Sequence, residues 1–384
     1  MPTRVSVAPD VLRWAVQRAG WDDETAHRRA PMLEEWAAGK EPTLKQVEKF
    51  ARDTHTPLGL LFLPEPPEEQ VPIPDLRTIG NAAVAQPSAD MLDTIYICQD
   101  RQDWYRGYAV EHGYAPRDFV GSATTDDTPA LVADRIRTLL NFDVADRAVF
   151  RNWEDALRRL IDLIEDTGVL VMVSGIVGSN THRVLRPEEF RGFALADPVA
   201  PLIFVNGSDT KAAQIFTMIH ELAHIWLGES ALSDAAMTAR HGRAAELWCN
   251  EVAADVLVPQ AVLRDDYSGE PTEAELDRLA RRYRVSTLVV LKQLFAARML
   301  SWGSFEQRYG EELERVIGLL AARRGDAQGG NYYYTQPLRL SRQFARALVA
   351  STFEGSTGYR DAYRLLGTKK HETFRNLADD LGVA

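Results

Sequence analysis

The sequence predicts an α+β protein that is mostly helical, with one small sheet placed between groups of helices. Two observations support this fold class. Most of the chain carries apolar residues at helical spacing, as in the stretch WEDALRRLIDLIEDTG, which ends at Gly168. Three short apolar runs, VLVMVS, FRGFALAD and PLIFVNG, are rich in β-branched and aromatic residues and predict strands between residues 169 and 207.

Length and composition exclude several classes of protein. The chain of 384 residues is long enough for two or three domains. Its net charge of −11 argues against a nucleic-acid-binding surface along the whole chain, and its two cysteines, Cys98 and Cys249, exclude a disulfide framework. No run reaches the ~18 apolar residues of a membrane span, and the first residues lack the apolar stretch of a signal peptide. We therefore expect a cytoplasmic protein without membrane contact.

The pattern along the chain predicts four segments. Residues 1–65 contain five short helical stretches around a tight turn, with Asp22 and Thr43 in helix-capping positions. Residues 66–88 are rich in proline and predict a linker or an extended arm. Residues 89–300 form a central domain that begins with helices at 89–113 and 127–141, and residues 301–384 form a C-terminal helical domain.

One motif carries chemistry, the HExxH sequence formed by His220, Glu221 and His224. Residues four apart lie on one face of a helix, so both imidazoles can bind the same metal ion. Glu221 lies beside them and can take a proton from a water molecule that the metal activates. The apolar flanks predict a buried helix that ends at Gly228. Imidazole ligands favour Zn²⁺, although such a site also accepts Mn²⁺.

A catalytic zinc ion needs a third protein ligand, and the next predicted helix offers two glutamates. Glu246 is followed four residues later by Asn250, whose side chain can hydrogen-bond the outer nitrogen of a ligand histidine. Glu251 is followed at the same spacing by Asp255. Spacing alone therefore leaves the choice between the two glutamates open.

The two predicted metal-binding helices resemble the ImmA/IrrE family of metallopeptidases, and a looser likeness extends over residues 150–300. The family pattern is HExxH followed by E-x-x-A-N-x-F-A-A-x-L-L-M-P. In ELWCNEVAADVLVP, Asn250 and Pro259 match this pattern, while Cys249 and Val252 replace its first Ala and its Phe. The resemblance places the family's glutamate at Glu246. It therefore implies Glu246 as the third ligand, Asn250 as its neighbour, and a gluzincin-like metallopeptidase domain.

The segment GFALADPVAPLIFVNG resembles the strand region ahead of the active helix in this family. In gluzincin-type peptidases an edge strand there binds substrate by β-augmentation, so we expect the PLIFVN strand to align the substrate. The oxyanion of the reaction needs a further hydrogen-bond donor. The sequence offers five candidates and does not choose among them. They are Arg240, His241, Tyr332, Tyr333 and Tyr334.

Residues 1–65 resemble the Xre-type helix-turn-helix domain that often precedes this peptidase domain, notably in LEEWAAGKEPT. The predicted recognition helix, however, carries Glu34 and Glu35, which repel phosphate groups. Arg28, Arg29, Lys40 and Lys45 are available for contacts with a DNA backbone. We nevertheless favour docking of a protein over binding of an operator by this segment.

The resemblance implies a zinc-dependent endopeptidase that cleaves a regulatory protein, such as a helix-turn-helix repressor, in a stress or mobile-element response. The alternative is a DNA- or toxin-binding regulator, similar to an antitoxin, whose metal site is structural or vestigial. The intact Glu221 favours the peptidase, because a purely structural site does not need a general base.

Overall fold

A computed structural model of the chain describes residues 3–74, 87–232, 244–323 and 338–383. The chain folds into two units. The first comprises Met1–Pro72 and Ala82–Tyr96, and the second comprises Ile73–Asn81 and Ile97–Ala384. The fold is mostly helical with one small mixed sheet, which confirms the predicted α+β class. In the described ranges, no helix is both long and apolar enough to cross a membrane.

The N-terminal part of the chain forms short helices around a small apolar core. The helices are α1 at Pro9–Arg18, α2 at Asp23–Arg29, α3 at Leu33–Ala37 and α4 at Leu44–Asp53, followed by a 3-10 turn at Leu58–Phe62. As predicted, Asp22 caps α2 by accepting from the Thr25 N–H, and Thr43 forms a capping box with Gln46 at α4. The core packs Trp36 edge-on against Phe50. Helix α3 is only five residues long.

In the described residues after this part, helices both precede and follow the strands of the sheet along the sequence. Helices α5 at Ala89–Glu111, α6 at Pro129–Leu140 and α7 at Trp153–Asp166 precede it. After the first three strands come α8 at Lys211–Leu227, α9 at Ala244–Leu257, α10 at Gln260–Asp266, α11 at Glu273–Tyr283, α12 at Thr287–Ala296 and α13 at Trp302–Arg323. The last helices are α14 at Arg342–Phe353, α15 at Tyr359–Leu366 and α16 at His371–Leu381. One apolar core contains residues of the helices α6, α7, α8 and α9, of the sheet, and of α11 and α12.

The sheet has the strand order β1-β3-β2-β4. Its strands in the described residues are β1 at Leu170–Ser174, β2 at Gly192–Leu195, β3 at Leu202–Asn206 and β4 at Ala231–Leu232. β1 is parallel to β3, with Leu170 opposite Leu202, whereas β2 is antiparallel to both β3 and β4. The first three strands lie at the three predicted apolar runs. A short connection therefore leads from the end of β3 to the start of α8.

The structure contradicts the prediction that the PLIFVN strand is an edge that aligns substrate. β3 is hydrogen-bonded to β1 on one side and to β2 on the other, so its main chain has no free edge. All five of its residues are buried, and an apolar run without alternation is typical of a strand covered on both faces. At the β4 edge the Leu232 N–H donates to the carbonyl of Pro74 at 3.1 Å, so the chain itself occupies that position.

Hydrogen bonds of buried side chains join the C-terminal helices to α5 and α7. Arg101 on α5 is 6% exposed and donates to the Leu365 carbonyl at 3.0 Å. Glu165, in the last turn of α7, accepts from the Ser341 hydroxyl and from the Arg342 N–H at 3.1 Å. Glu165 therefore caps the N-terminus of α14.

Glu165 should make the stability of the protein depend on pH. Burial raises its pKa to about 7, from an ordinary value of 4.5. The folded state then binds more protons than the unfolded state between these two values. The free energy of unfolding consequently falls as pH rises through this window, by about 3 kcal/mol. We expect Glu165→Gln to flatten this profile and to be more stable than the wild type at pH 8, because the amide oxygen still accepts both bonds.

The measurement is urea unfolding at pH 5, 6, 7 and 8. Glu154→Gln is the matched control, because Glu154 is an exposed glutamate on the same helix. An unchanged profile in Glu165→Gln would contradict the assignment of this pH dependence to Glu165.

Candidate metal centre

The HExxH motif lies on α8, which is buried over almost its whole length. The helix begins after Thr210, whose hydroxyl caps it, and ends at Gly228, which has a positive φ of 73°. The carbonyls of its last turn are not left unpaired. The Gly121 N–H donates to the Ile225 carbonyl at 3.1 Å, and the Ala123 N–H donates to the Trp226 carbonyl at 3.0 Å. The predicted helix and its predicted end are therefore both observed, and a loop from outside the motif fixes the end.

Helix α9 carries Glu246 in its first turn, and its other end is held by a buried arginine. Arg147 is 0% exposed and donates to the carbonyls of Val256, at 2.8 Å, and of the last residue of α9. The Trp248 indole on the same helix donates to the Asp127 carbonyl at 2.8 Å. These bonds and the packing against α6 and α8 fix α9 beside α8.

The two helices bring His220, His224 and Glu246 together. The Nε2 atoms of the two histidines lie 3.2 Å apart. Glu246 Oε1 lies 3.1 Å from Nε2 of His224, and Glu246 Oε2 lies 3.3 Å from Nε2 of His220. All three residues are buried, at 4%, 0% and 7% exposure. Among the described residues, they are the one group of three or more His, Cys, Asp or Glu side chains whose ligand atoms lie close enough together to hold one metal ion.

These distances fit a single metal ion better than a hydrogen-bonded triad. Two ring nitrogens that face each other at 3.2 Å can share only one proton, and Glu246 faces both of them. In a tetrahedral site with bonds of about 2.0–2.1 Å, neighbouring ligand atoms lie about 3.3 Å apart. The observed separations of 3.1, 3.2 and 3.3 Å agree with this value. The donor set of two imidazoles and one carboxylate also suits zinc.

The charges of the three side chains are strongly coupled. Burial raises the pKa of Glu246, but hydrogen bonds to both imidazoles outweigh this effect and hold its pKa well below the usual range. Burial is the main cause that lowers the pKa of His224, and the neighbouring His220 lowers it further. Burial also lowers the pKa of His220, but Glu246, Glu221 and Asn250 together raise it above its ordinary value. Glu246 is therefore ionised at neutral pH, the form in which a carboxylate binds a cation.

Glu221 is fully buried at the inner face of α8, opposite the first residue of β2. That residue is Gly192, and a Cβ at its position would lie 3.0 Å from Glu221 Oε1. It would also lie 2.6 Å from Thr217 Cγ2 and 2.7 Å from the Phe204 carbonyl oxygen. Only glycine lets β2 pass so close to the helix. Gly192 was not among the residues that the sequence indicated, although a glycine inside a strand run often marks such a close approach.

We expect Gly192→Ala to destabilise the protein and to displace Glu221. The added methyl group has no room between β2 and α8, so the free energy of unfolding should fall by about 1–3 kcal/mol. The matched control is Gly310→Ala in α13, where no described atom lies within 4 Å of an added Cβ. That variant should be more stable by about 0.5–1 kcal/mol, because alanine favours a helix. Urea unfolding of both variants measures the difference, and two variants of equal stability would refute the packing argument.

The remaining predicted residues have varied positions. Asn250 contributes to the raised pKa of His220, but the outer ring nitrogen of His220, Nδ1, has no hydrogen-bond partner among the described residues, so its support by Asn250 stays a prediction. Glu251, the competing glutamate, is exposed and lies outside the cluster. Asp255 is buried and accepts from the Gln260 N–H at 3.2 Å.

The candidate oxyanion donors lie outside the described residues. These are Arg240, His241, Tyr332, Tyr333 and Tyr334. The sequence also gave no indication that Arg147 and the loop at 121–123 hold the ends of the two metal-binding helices. Both act through backbone carbonyls, and such contacts leave no recognisable residue pattern.

Comparison with known families agrees with this geometry. Residues 164–295 match the family model of peptidase family M78, described as an IrrE N-terminal-like domain. Residues 340–380 match a family model described as a domain of unknown function, DUF8813. No curated protein matches the chain. The first match contains the sheet, α8 and α9. It supports the ImmA/IrrE resemblance and indicates metallopeptidase-type activity with a metal cofactor, whereas neither match includes residues 1–65.

Proposed function

We propose that the protein is a zinc-dependent endopeptidase of the HExxH type. The observation that carries this proposal is the convergence of His220, His224 and Glu246 at tetrahedral spacing, with Glu221 buried beside them. A bound zinc ion would supply Lewis acidity, which acidifies a water molecule and polarises the scissile carbonyl. The family match over the same residues supports this assignment.

Each side chain has a distinct part in this proposal. His220, His224 and Glu246 hold the ion, and Asn250 orients His220. Glu221 takes the proton from the attacking water and passes it to the leaving amine. Its burial removes competing water from the carboxylate, which favours proton transfer to and from the substrate.

Dependence of peptide cleavage on zinc tests the proposed activity. The purified full-length chain is stripped with a chelator, divided, and either left without metal or reloaded with one equivalent of Zn²⁺ or Mn²⁺. Each sample is then incubated with a library of proteome-derived peptides, and mass spectrometry counts new termini. We expect internal cleavage with zinc and none without metal, because the reaction needs the Lewis acid. Absence of cleavage in every metal-loaded sample would count against the peptidase and favour the binding regulator.

The substrate that we propose is a regulatory protein, such as a helix-turn-helix repressor, by resemblance to the ImmA/IrrE family. We further propose that the N-terminal unit docks a protein partner and does not read DNA. Helix α3 is five residues long, and both Glu34 and Glu35 on it are exposed. A helix that reads the major groove usually presents basic or amide side chains there. The same unit has a mainly apolar cavity of about 170 Å³, lined by Trp36, Phe50 and Met32, which suits an apolar side chain of a protein.

A further inference from the structure

A second cavity, of about 620 Å³, lies between the C-terminal helices and the ends of α5 and α7. It is bounded by α5, the end of α7, α14 and the residues that follow α16. None of its described lining residues belongs to α8 or α9, so it is separate from the candidate metal centre. Its volume is typical of pockets that bind small molecules. The cavity is therefore large enough for a ligand of its own.

One polar atom in the wall of this cavity is buried without a partner among the described residues. Tyr105, which is 1% exposed, lines the cavity. Gln343 also lines the cavity, and its Oε1 atom is buried without a hydrogen-bond partner in the described part of the chain. Buried polar groups are almost always hydrogen-bonded, so this atom in the cavity wall points to a ligand that supplies the missing partner.

The rim of the cavity carries two guanidinium groups. Arg342 and Arg346 are four residues apart on α14, so they lie on the same face of the helix. Both are exposed, and Arg342 also interacts electrostatically with Asp162. Paired guanidinium groups match the oxygens of a phosphate or carboxylate. The nearest buried carboxylate, Glu165, does not compensate them, because the Ser341 hydroxyl and the α14 N-terminus already engage it.

Aromatic rings and a carboxylate complete the lining. Tyr108 and Tyr114 line the cavity and lie edge to face, with centroids 6.2 Å apart. The Tyr108 ring already stacks on His112 and Trp104, with centroids 3.9 and 5.5 Å away, whereas Tyr114 is 40% exposed. Asp166 is exposed at the end of α7 and also lines the cavity. An aromatic face can stack a nucleobase, and an aspartate can accept hydrogen bonds from ribose hydroxyls. The lining therefore offers one kind of group for each part of a nucleotide.

We propose that this cavity binds a nucleoside monophosphate. The phosphate pairs with Arg342 and Arg346, the ribose lies toward Asp166, and the base lies against Tyr114. The edge of the base donates a hydrogen bond to Gln343 Oε1. The proposal is independent of the peptidase assignment, because the site shares no described residue with the metal centre.

Isothermal titration of the full-length protein with AMP, GMP, CMP and UMP tests the proposal, with inorganic phosphate as a fifth probe. We expect one-to-one binding of at least one nucleotide. Arg346→Gln should weaken it about ten- to hundredfold, the effect of losing a charged hydrogen bond. Arg375→Gln should leave it unchanged, because Arg375 is an exposed arginine on α16 that does not line the cavity.

Three results would overturn the proposal. One is the failure of all four nucleotides to bind at millimolar concentration. Another is binding of inorganic phosphate as tight as that of any nucleotide, which would reduce the site to an anion site. The third is undiminished nucleotide binding by Arg346→Gln. Arg346 is exposed, so we expect its replacement to leave the fold intact. Circular dichroism and thermal unfolding check that the variant folds as the wild type does.

Discussion

Replacement of Glu221 by glutamine should abolish peptide cleavage while the fold and the metal content stay intact. The amide has the shape of the carboxylate but cannot accept a proton, so the general-base contribution of about 10²–10⁴-fold is lost. Glu221 is fully buried, and the loss of its charge removes a desolvation cost, so we do not expect the variant to be less stable. The measurement is the rate of cleavage of the peptide that the zinc-loaded wild type cleaves fastest, together with zinc content and thermal unfolding.

Glu251→Gln is the matched control for this experiment. It makes the same chemical change at an exposed position of α9, outside the cluster, and should cleave at the wild-type rate. A Glu221→Gln variant that retains more than about a tenth of the wild-type rate would exclude Glu221 as the general base. A variant that loses zinc as well as activity would show instead that Glu221 supports the metal site.

Removal of one metal ligand should reduce zinc affinity more than any change around the site. We expect wild-type protein to hold one zinc ion per chain after dialysis, and His224→Ala and Glu246→Gln to hold almost none. Loss of an outer hydrogen-bonding group typically costs 10–100-fold in metal affinity, so loss of a direct ligand should cost more than about a hundredfold. Elemental analysis by mass spectrometry gives the zinc content of each variant.

Thermal unfolding with added zinc gives a second, independent readout. A metal that binds only the folded state, at a free concentration of 100 times its dissociation constant, stabilises the protein by about 2.7 kcal/mol. Under the conditions that give this gain in the wild type, His224→Ala and Glu246→Gln should gain nothing, and Glu251→Gln should behave as the wild type. If Glu251→Gln lost zinc and Glu246→Gln kept it, the choice of third ligand would be wrong although the metal site would remain.

Local features of this protein follow from short-range rules, and the sequence predicts them well. Asp22 and Thr43 cap helices as expected, because a side-chain oxygen near a helix start meets free N–H groups without help from the rest of the fold. The four-residue spacing of His220 and His224 places both rings on one side of α8 for the same reason.

Predictions that depend on which other helix or strand an element packs against are harder to make from the sequence. The PLIFVN run is a strand, but its place in the middle of the sheet depends on β1, which precedes it by about thirty residues and pairs with it in parallel. Glu246 and Glu251 cannot be separated by spacing on α9. The family pattern selected Glu246, and the structure places Glu246 beside the histidines because α6 and α8 fix which face of α9 turns inward.

The sequence by itself determined the mostly helical α+β class, the position of the strands, and a pair of histidines with a glutamate between them on one buried helix. Each of these depends on neighbours within a few residues. The tertiary structure alone decided that β3 is central and that the absence of a side chain at Gly192 leaves room for Glu221. It also decided that Arg147 hydrogen-bonds the end of α9. It also decided that a cavity lies against α14. These features arise where residues far apart in the chain meet, and a pattern of residue types along the sequence does not encode such distances.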